Sequence, residues 1–322
     1  MLASLVICFY NEEENIGASF HSIIDAMKIH KSNREMEFEV IYVNDGSSDK
    51  SLKILKDAIS AVPEFEKSVR ILDIKHLGLS GARNAGVKAS HGEYVFFCDC
   101  DALIDKQYFN NLNFYLKKVD CGEVFSGKIE NYPNLNLFSD FIHKAHYLAS
   151  MNLNSHPLVG TNMGFKKSLL IEYKFDEKYK SRGDDTYISE ILDIETREFE
   201  FCNNIIVYNK HPETILCWLR ERFYNGQLRF QLDKNFKKIN YKKIFYLLIL
   251  LLMVLTVGIS AILSICGILL LLVLRVVSVR KYFIQGYVLS TNYPLRFKLI
   301  PLLGFIIHEL GYATQLASFK NG

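Results

Sequence analysis

The chain has 322 residues, with 38 lysines and arginines against 35 aspartates and glutamates, for a formal net charge of +3. That length suits one catalytic domain with an appendage, and the near balance of charge gives no global signature of nucleic-acid binding, so no nucleic-acid partner is expected. Seven cysteines, an odd number without a CxxC pair or zinc-finger spacing, argue against a disulfide framework and structural zinc and point to a reducing, cytosolic setting for the soluble part.

Met1 to Phe9 have no basic start and run into Asn11 and three glutamates, so they read as a buried strand and not as a signal peptide. From there to about Cys98 a short apolar run, a polar turn and a helical periodicity repeat, the alternation of βα units on a parallel sheet. Leu5 to Phe9, Val40 to Val43, Val69 to Leu72 and Tyr94 to Cys98 are the expected strands. Ile16, Phe20, Ile23, Ile24 and Met27 share one face of a helix entered through Asn11 and Glu12 to Glu14, and Leu52, Leu55 and Ile59 mark a second helix. After Asp105 the pattern blurs through Tyr108 to Leu116. The stretch from Asn131 to His156, rich in Asn, His and aromatics, reads as partly loop-like surface.

Composition changes near Ile244, where 31 residues to Leu274 carry no charge. This exceeds one ordinary membrane span of roughly 17 to 25 residues and is short for two. Lysines 237, 238, 242 and 243 precede it and Arg275, Arg280 and Lys281 follow it, so the positive-inside rule favours a hairpin turning near Gly258 to Ser260, against the alternative of one long tilted helix. Leu295 to Phe319, which carries His308, Glu309 and Gln315, reads as an interfacial or packed helix.

Several groups could carry chemistry. Asp45, in VNDGSSD after a strand, sits where a doubly wound sheet binds ligands and could accept hydrogen bonds from a base or ribose; the structural alternative is a turn with Asp49 as helix N-cap. Arg83 lies in a glycine-punctuated helix entrance suited to a phosphate, or to close helix packing. Stronger is YVFFCDCD, where an apolar strand delivers Asp99 and Asp101 to one side. Their repulsion calls for a cation, and hard oxygen ligands favour Mg or Mn. Cys98 and Cys100 read as small buried residues. Asp185, after Ser181-Arg182-Gly183-Asp184, is a candidate general base, or with Asp184 a cap for a helix beginning near Thr186. His211 is a candidate metal or phosphate ligand, the plainer reading being structural, and Trp218, Arg222 and Gly226 close the soluble part.

Taken together, the ordered blocks LVICFYNEEENI, VNDGSSD, GLSGARNAGVKAS, EYVFFCDCDALID, GTNMGFKKS, FDEKYKSRGDD and the Arg222 region resemble glycosyltransferase family 2, over about Leu5 to Gly226. The resemblance implies an inverting enzyme with the GT-A fold, an α/β Rossmann-like sheet. It implies Asp45 at the nucleotide base, Asp99 at the ribose, Asp101 on the metal, Arg83 at the nucleotide or diphosphate, and Asp185 as base. Asn11, Glu13 and Arg222 are carried as donor-binding candidates, and Asp99 and His211 join Asp101 as metal candidates. Cys8 stands where a proline is common in the family, Asp184 where a glutamate is usual, and Arg222 lacks the Gln-x-x-Arg-Trp pattern of processive synthases.

The expectation is therefore a catalytic domain over 1–230 and a membrane-associated region over 231–322, with a transmembrane hairpin about 244–277 and an interfacial or transmembrane helix about 295–319. The cofactor is a divalent metal, Mn or Mg, and the donor a nucleotide-diphosphate sugar. The acceptor is a hydroxyl of a lipid-linked or other saccharide, in cell-surface polysaccharide or glycolipid synthesis. The catalytic domain is expected on the cytoplasmic side of the cell (inner) membrane. Two alternatives stand beside this: transfer onto a polyprenyl phosphate, and a non-catalytic nucleotide-sugar sensor or scaffold.

Overall fold

The apolar runs of the first hundred residues become four parallel strands in a computed structural model, which describes residues 2–31, 37–118, 121–133, 136–144, 158–194, 199–235, 303, 306–312 and 314. They are β1 (Leu2–Phe9), β2 (Glu37–Asn44), β3 (Val69–Asp73) and β4 (Tyr94–Phe97). Helices α1 (Ile16–Lys31), α2 (Ser51–Ser60) and α3 (Leu79–Ala89) connect them. Beyond β4 come β5 (Leu103–Ile104), α4 (Tyr108–Leu116), β6 (Val124–Asn131), α5 (Leu137–Ile142), β7 (Met163–Lys166), α6 (Lys167–Glu172), α7 (Asp184–Ile194), β8 (Phe199–Asn209) and α8 (Ile215–Asn235). The eight strands form one sheet in the order β3-β2-β1-β4-β7-β6-β8-β5. Antiparallel β7 pairs with both β4 and β6, so residues preceding Met163 arrive beside the end of β4, where Phe97 is its partner.

Alternation along the strands sorts the core into two layers. Leu5, Ile7, Tyr42 and Phe96 face one side, where Ile16, Phe20, Ile23, Ile24 and Met27 of α1 and Phe109 and Leu112 of α4 meet them. Val6, Ile41, Val43, Val95 and Phe97 face the other, against Ala82 and Val87 of α3, Leu169 and Leu170 of α6, and Ile188 and Leu192 of α7. Each fully buried side chain of this kind contributes about 1.5–3 kcal/mol, which makes both faces of the sheet stabilising.

Local details differ from the sequence expectation. The blurred stretch from Tyr108 to Leu116 is a helix, with Tyr108, Phe109, Leu112 and Leu116 buried along one side. Asp49 is not the N-cap of α2, which is Lys50; its carboxylate accepts from the Ser51 hydroxyl and from the backbone N–H groups of Ser51 and Glu13. The helix expected near Thr186 begins at Asp184, so Asp184 and Asp185 lie inside its first turn, where negative charge meets the positive end of the helix dipole.

The chain divides into two compact units, Met1–Asn134 with His156–Lys210, and Leu135–Ser155 with His211–Gly322. The boundary near residue 230 drawn from the sequence falls within α8. In the second unit Trp218 is buried against Phe141 and Ile142. The backbone of α8 touches that of the helical residues 306–312: a Cβ on Gly226 would meet the His308 carbonyl, and one on Gly311 the Phe223 carbonyl. The apolar stretch from Ile244 to Leu274, and with it the expected hairpin, lies outside the described residues. Among the described residues no helix is long and apolar enough to cross a membrane.

Candidate active site

Four strand ends share the carboxyl edge of the parallel half of the sheet, and each is followed by a candidate residue: Tyr10 and Asn11 after β1, Asp45 after β2, His76 beyond β3, and Asp99 after β4. Asp45 is buried and its two carboxylate oxygens accept from the N–H groups of Leu77 and Gly78, at 2.7 and 2.9 Å. The imidazole Nδ1 of His76 lies 2.9 Å from the same carboxylate. Gly78 has φ of +84° and Lys180 crowds it where a Cβ would stand, so this bend requires glycine. The loop so fixed holds the His76 ring against the half-exposed Tyr10 ring, centroids 4.3 Å apart.

Asn11 and Glu13 serve the edge differently from what the sequence suggested. Asn11 has φ of +56°, which asparagine tolerates better than most residues, and its side-chain oxygen accepts from Ser48 N–H at 2.8 Å. Glu13 accepts from Lys50 N–H, and its own N–H donates to Asp49. Both side chains stitch the loop after β1 to the loop after β2.

Asp99 and Asp101 do not continue the strand. β4 ends at Phe97, and Asp99 to Asp101 form a turn in which Ala102 N–H donates to the Asp99 carbonyl. Cys98 and Cys100 point into the core, where burial pushes their thiols well above the ordinary range. Asp99 is partly exposed; one oxygen accepts from Arg83 at 3.0 Å and the other from the Thr161 hydroxyl at 2.5 Å. Asp101 is raised to about 6, by burial first and then by the charges of Asp99 and Glu12, with Lys210 partly opposing.

That raised value bears on a metal. A carboxyl raised by burial and two carboxylate neighbours against one opposing lysine is short of positive charge, which a divalent cation would supply. Among the described residues no group of three or more His, Cys, Asp or Glu is set to hold an ion. Two carboxylates nevertheless fit Mg or Mn, which take one or two from the protein and complete their shell with phosphate oxygens and water.

Arg83, assigned from the sequence to a phosphate, has its guanidinium buried in protein contacts. It reaches Asp184 at 2.5 Å, Asp99 at 3.0 Å and the Gly160 carbonyl at 3.2 Å, and lies over the rings of Phe97 and Phe175. Burial opposes its charge, but Asp184 and Asp99 outweigh burial and lift its pKa above the ordinary value. Burial likewise raises the Asp184 carboxyl against the pull of Arg83. Asp185 is half-buried; it accepts from Gly160 N–H at 3.0 Å and from Thr186 N–H at 2.6 Å. The 3-10 turn Gly160–Asn162 before β7 thus joins Asp99 to Asp185. Sequence reasoning missed this link, although Gly160 and Thr161 stand within the block GTNMGFKKS.

Arg222 and His211 belong to the second unit. His211 Nε2 lies 2.9 Å from His143 Nδ1, and burial and that neighbour push His211 down to about 4. Arg222, on α8, shares a helix face with Trp218 and Gly226 and is half-buried.

The sheet is of the α/β class, with acidic groups gathered at the carboxyl edge of its parallel half, where such sheets bind ligands. Residues 4–174, more than half of the chain, match Glycosyl transferase family 2. The chain belongs to that family. It is 25% identical over 197 residues to the teichoic acid poly(glycerol phosphate) polymerase of Staphylococcus epidermidis, covering 59% of this chain and 26% of that protein. It is 27% identical over 124 residues to the dolichyl-phosphate beta-glucosyltransferase of Dictyostelium discoideum, covering 38% and 37%. The matched stretches thus span well under half the length of these relatives. Among solved structures, the mannosyltransferase PcManGT from Pyrobaculum calidifontis, in complex with GDP-Man and Mn2+, is similar with a TM-score of 0.62 and 14% identity over 98% of this chain and 86% of that one. S. aureus TarS 1-349 in complex with UDP gives 0.51 and 17% over 100% and 92%. At these identities the likeness concerns the fold.

Proposed function

We propose that the chain is a metal-dependent, inverting glycosyltransferase that moves a sugar from a nucleotide-diphosphate donor to a hydroxyl of a lipid-linked saccharide. The observation that carries this reading is the continuous bonding of Asp99, Arg83, Asp184, Gly160 and Asp185 beside Asp101 at one edge of the sheet. The complex of PcManGT with GDP-Man and Mn2+ supports the donor class and the metal.

Asp101 and Asp99 would hold the metal, which supplies positive charge against the departing nucleoside diphosphate. Asp45, by fixing the loop through His76, builds with Tyr10 a ring surface for the nucleotide base. Asp185 takes the proton of the acceptor hydroxyl as its oxygen bonds to the anomeric carbon, and the bond from that carbon to the diphosphate oxygen breaks with its electrons leaving on the diphosphate. One displacement inverts the carbon and needs no protein nucleophile. Arg222 and His211 belong to the second unit and are given no role in this step.

The uncharged run from Ile244 to Leu274, flanked by basic residues, supports placement at the cytoplasmic face of the cell membrane. The contact of α8, which precedes that run, with residues 306–312, which follow it, supports a return of the chain to one side, as in the hairpin. The likeness to the Dictyostelium dolichyl-phosphate beta-glucosyltransferase favours a second acceptor, a polyprenyl phosphate. Mild acid distinguishes the two products, cleaving a sugar phosphodiester and leaving a glycosidic bond.

The test is release of nucleoside diphosphate from a panel of UDP and GDP sugars by the full chain with membrane lipids. Activity should vanish with chelator and return with Mn or Mg. Full activity in metal-free buffer would remove the metal from the site, and no turnover with any donor would remove the reading.

A further inference from the structure

Arg83 binds two carboxylates that the reaction uses or adjoins, and one of them has no role in the chemistry above. Asp184 and Arg83 are 2% and 4% exposed in their side chains, so substrate does not reach the bond between them. Asp184 immediately precedes Asp185 on α7, so a pull on its side chain acts on the backbone that carries Asp185. From the same guanidinium one nitrogen donates both to Asp99 and to the carbonyl of Gly160, whose N–H donates to Asp185. Two routes therefore run from Arg83 to Asp185, and one runs to Asp99.

We infer that Asp184 is a positioning residue for transfer: by gripping Arg83 it sets the separation between Asp99 on the donor side and Asp185 on the acceptor side. A buried arginine whose only task was stability could be replaced together with its partner by apolar residues at little cost. A positioning pair could not, because a displacement of about 1 Å at a reacting group costs about 100-fold in rate.

This rests on the reading of Asp185 as base, and the experiment separates the two. The full chain, with Asp184→Asn, Asp184→Glu and Asp185→Asn variants, is assayed with Mn and the UDP and GDP sugars, recording kcat, donor KM and thermal midpoint. Asp184→Asn should lose about 100-fold in kcat with donor KM nearly unchanged, and Asp184→Glu, which restores the charge, should recover about 10-fold of that loss. Wild-type kcat in Asp184→Asn, or a glutamate variant as slow as the asparagine one, overturns the inference while an inactive Asp185→Asn leaves the base in place. Wild-type turnover by Asp185→Asn overturns the base itself. Should Asp184→Asn fail to fold, the double variant Arg83→Met, Asp184→Leu takes its place: about 100-fold loss of kcat in the folded protein supports the pairing, and unchanged kcat overturns it.

Discussion

Asp185 and Arg83, two charged side chains of one site, should respond differently to substitution. Asp185 is half-buried, with two backbone donors on its oxygens, so Asp185→Asn can keep its shape while losing the ability to take a proton. The expected outcome is a loss of about 10²- to 10⁴-fold in transfer with UDP or GDP binding retained, checked by single-turnover assay beside calorimetric titration with the nucleotide. Arg83 is a question of stability before chemistry. Arg83→Met leaves Asp184 buried with no guanidinium against it, and breaking a buried pair this way costs about 3–5 kcal/mol, read from the urea midpoint.

Among the elements, α3 packs its Gly86 directly on the sheet. A Cβ at Gly86 would meet Val6 of β1 and Val43 of β2, so Gly86→Ala should destabilise the fold by about 1–3 kcal/mol through overpacking, measured by denaturant unfolding. β1, β2 and β4 were legible in the sequence because strands buried on both faces read as near-continuous apolar runs, whereas β3, a partly buried edge strand, was legible from Val69, Ile71 and Leu72. β6, with the sequence VFSGKIEN, was not, because Ser, Gly and Lys break its run and its pairing with β7 and β8 is set from far along the chain. The helix α4 was hidden by asparagines, of which Asn113 is buried. The acidic residues of the site could be named from their blocks, but the bond between Arg83 and Asp184 spans 101 positions and leaves no local trace. For the same reason Arg83 was read as facing a phosphate when its guanidinium is enclosed by protein.

At the scale of the molecule, Glu39 ties three parts of the sheet together: it accepts from Ser4 of β1, from His91 after α3 and from Arg70 of β3. Burial alone would raise its carboxyl, but those hydrogen bonds and the charge of Arg70 hold it at about 2, below its ordinary 4.5. Because the folded value is depressed, its stabilisation is present above pH 4.5 and fades as pH falls toward 2. Thermal midpoints between pH 7 and 2.5 should therefore fall more steeply for the wild type than for Glu39→Gln. Acid lability at this far edge is independent of the proposed reaction, which is assigned to the opposite edge as a single displacement. The anomeric configuration of the transferred sugar, read by NMR from the product of the wild-type chain with Mn, tests that displacement most directly. The configuration should be inverted relative to the donor; retention would require a covalent intermediate or a front-face route and would contradict Asp185 acting as the base in one step.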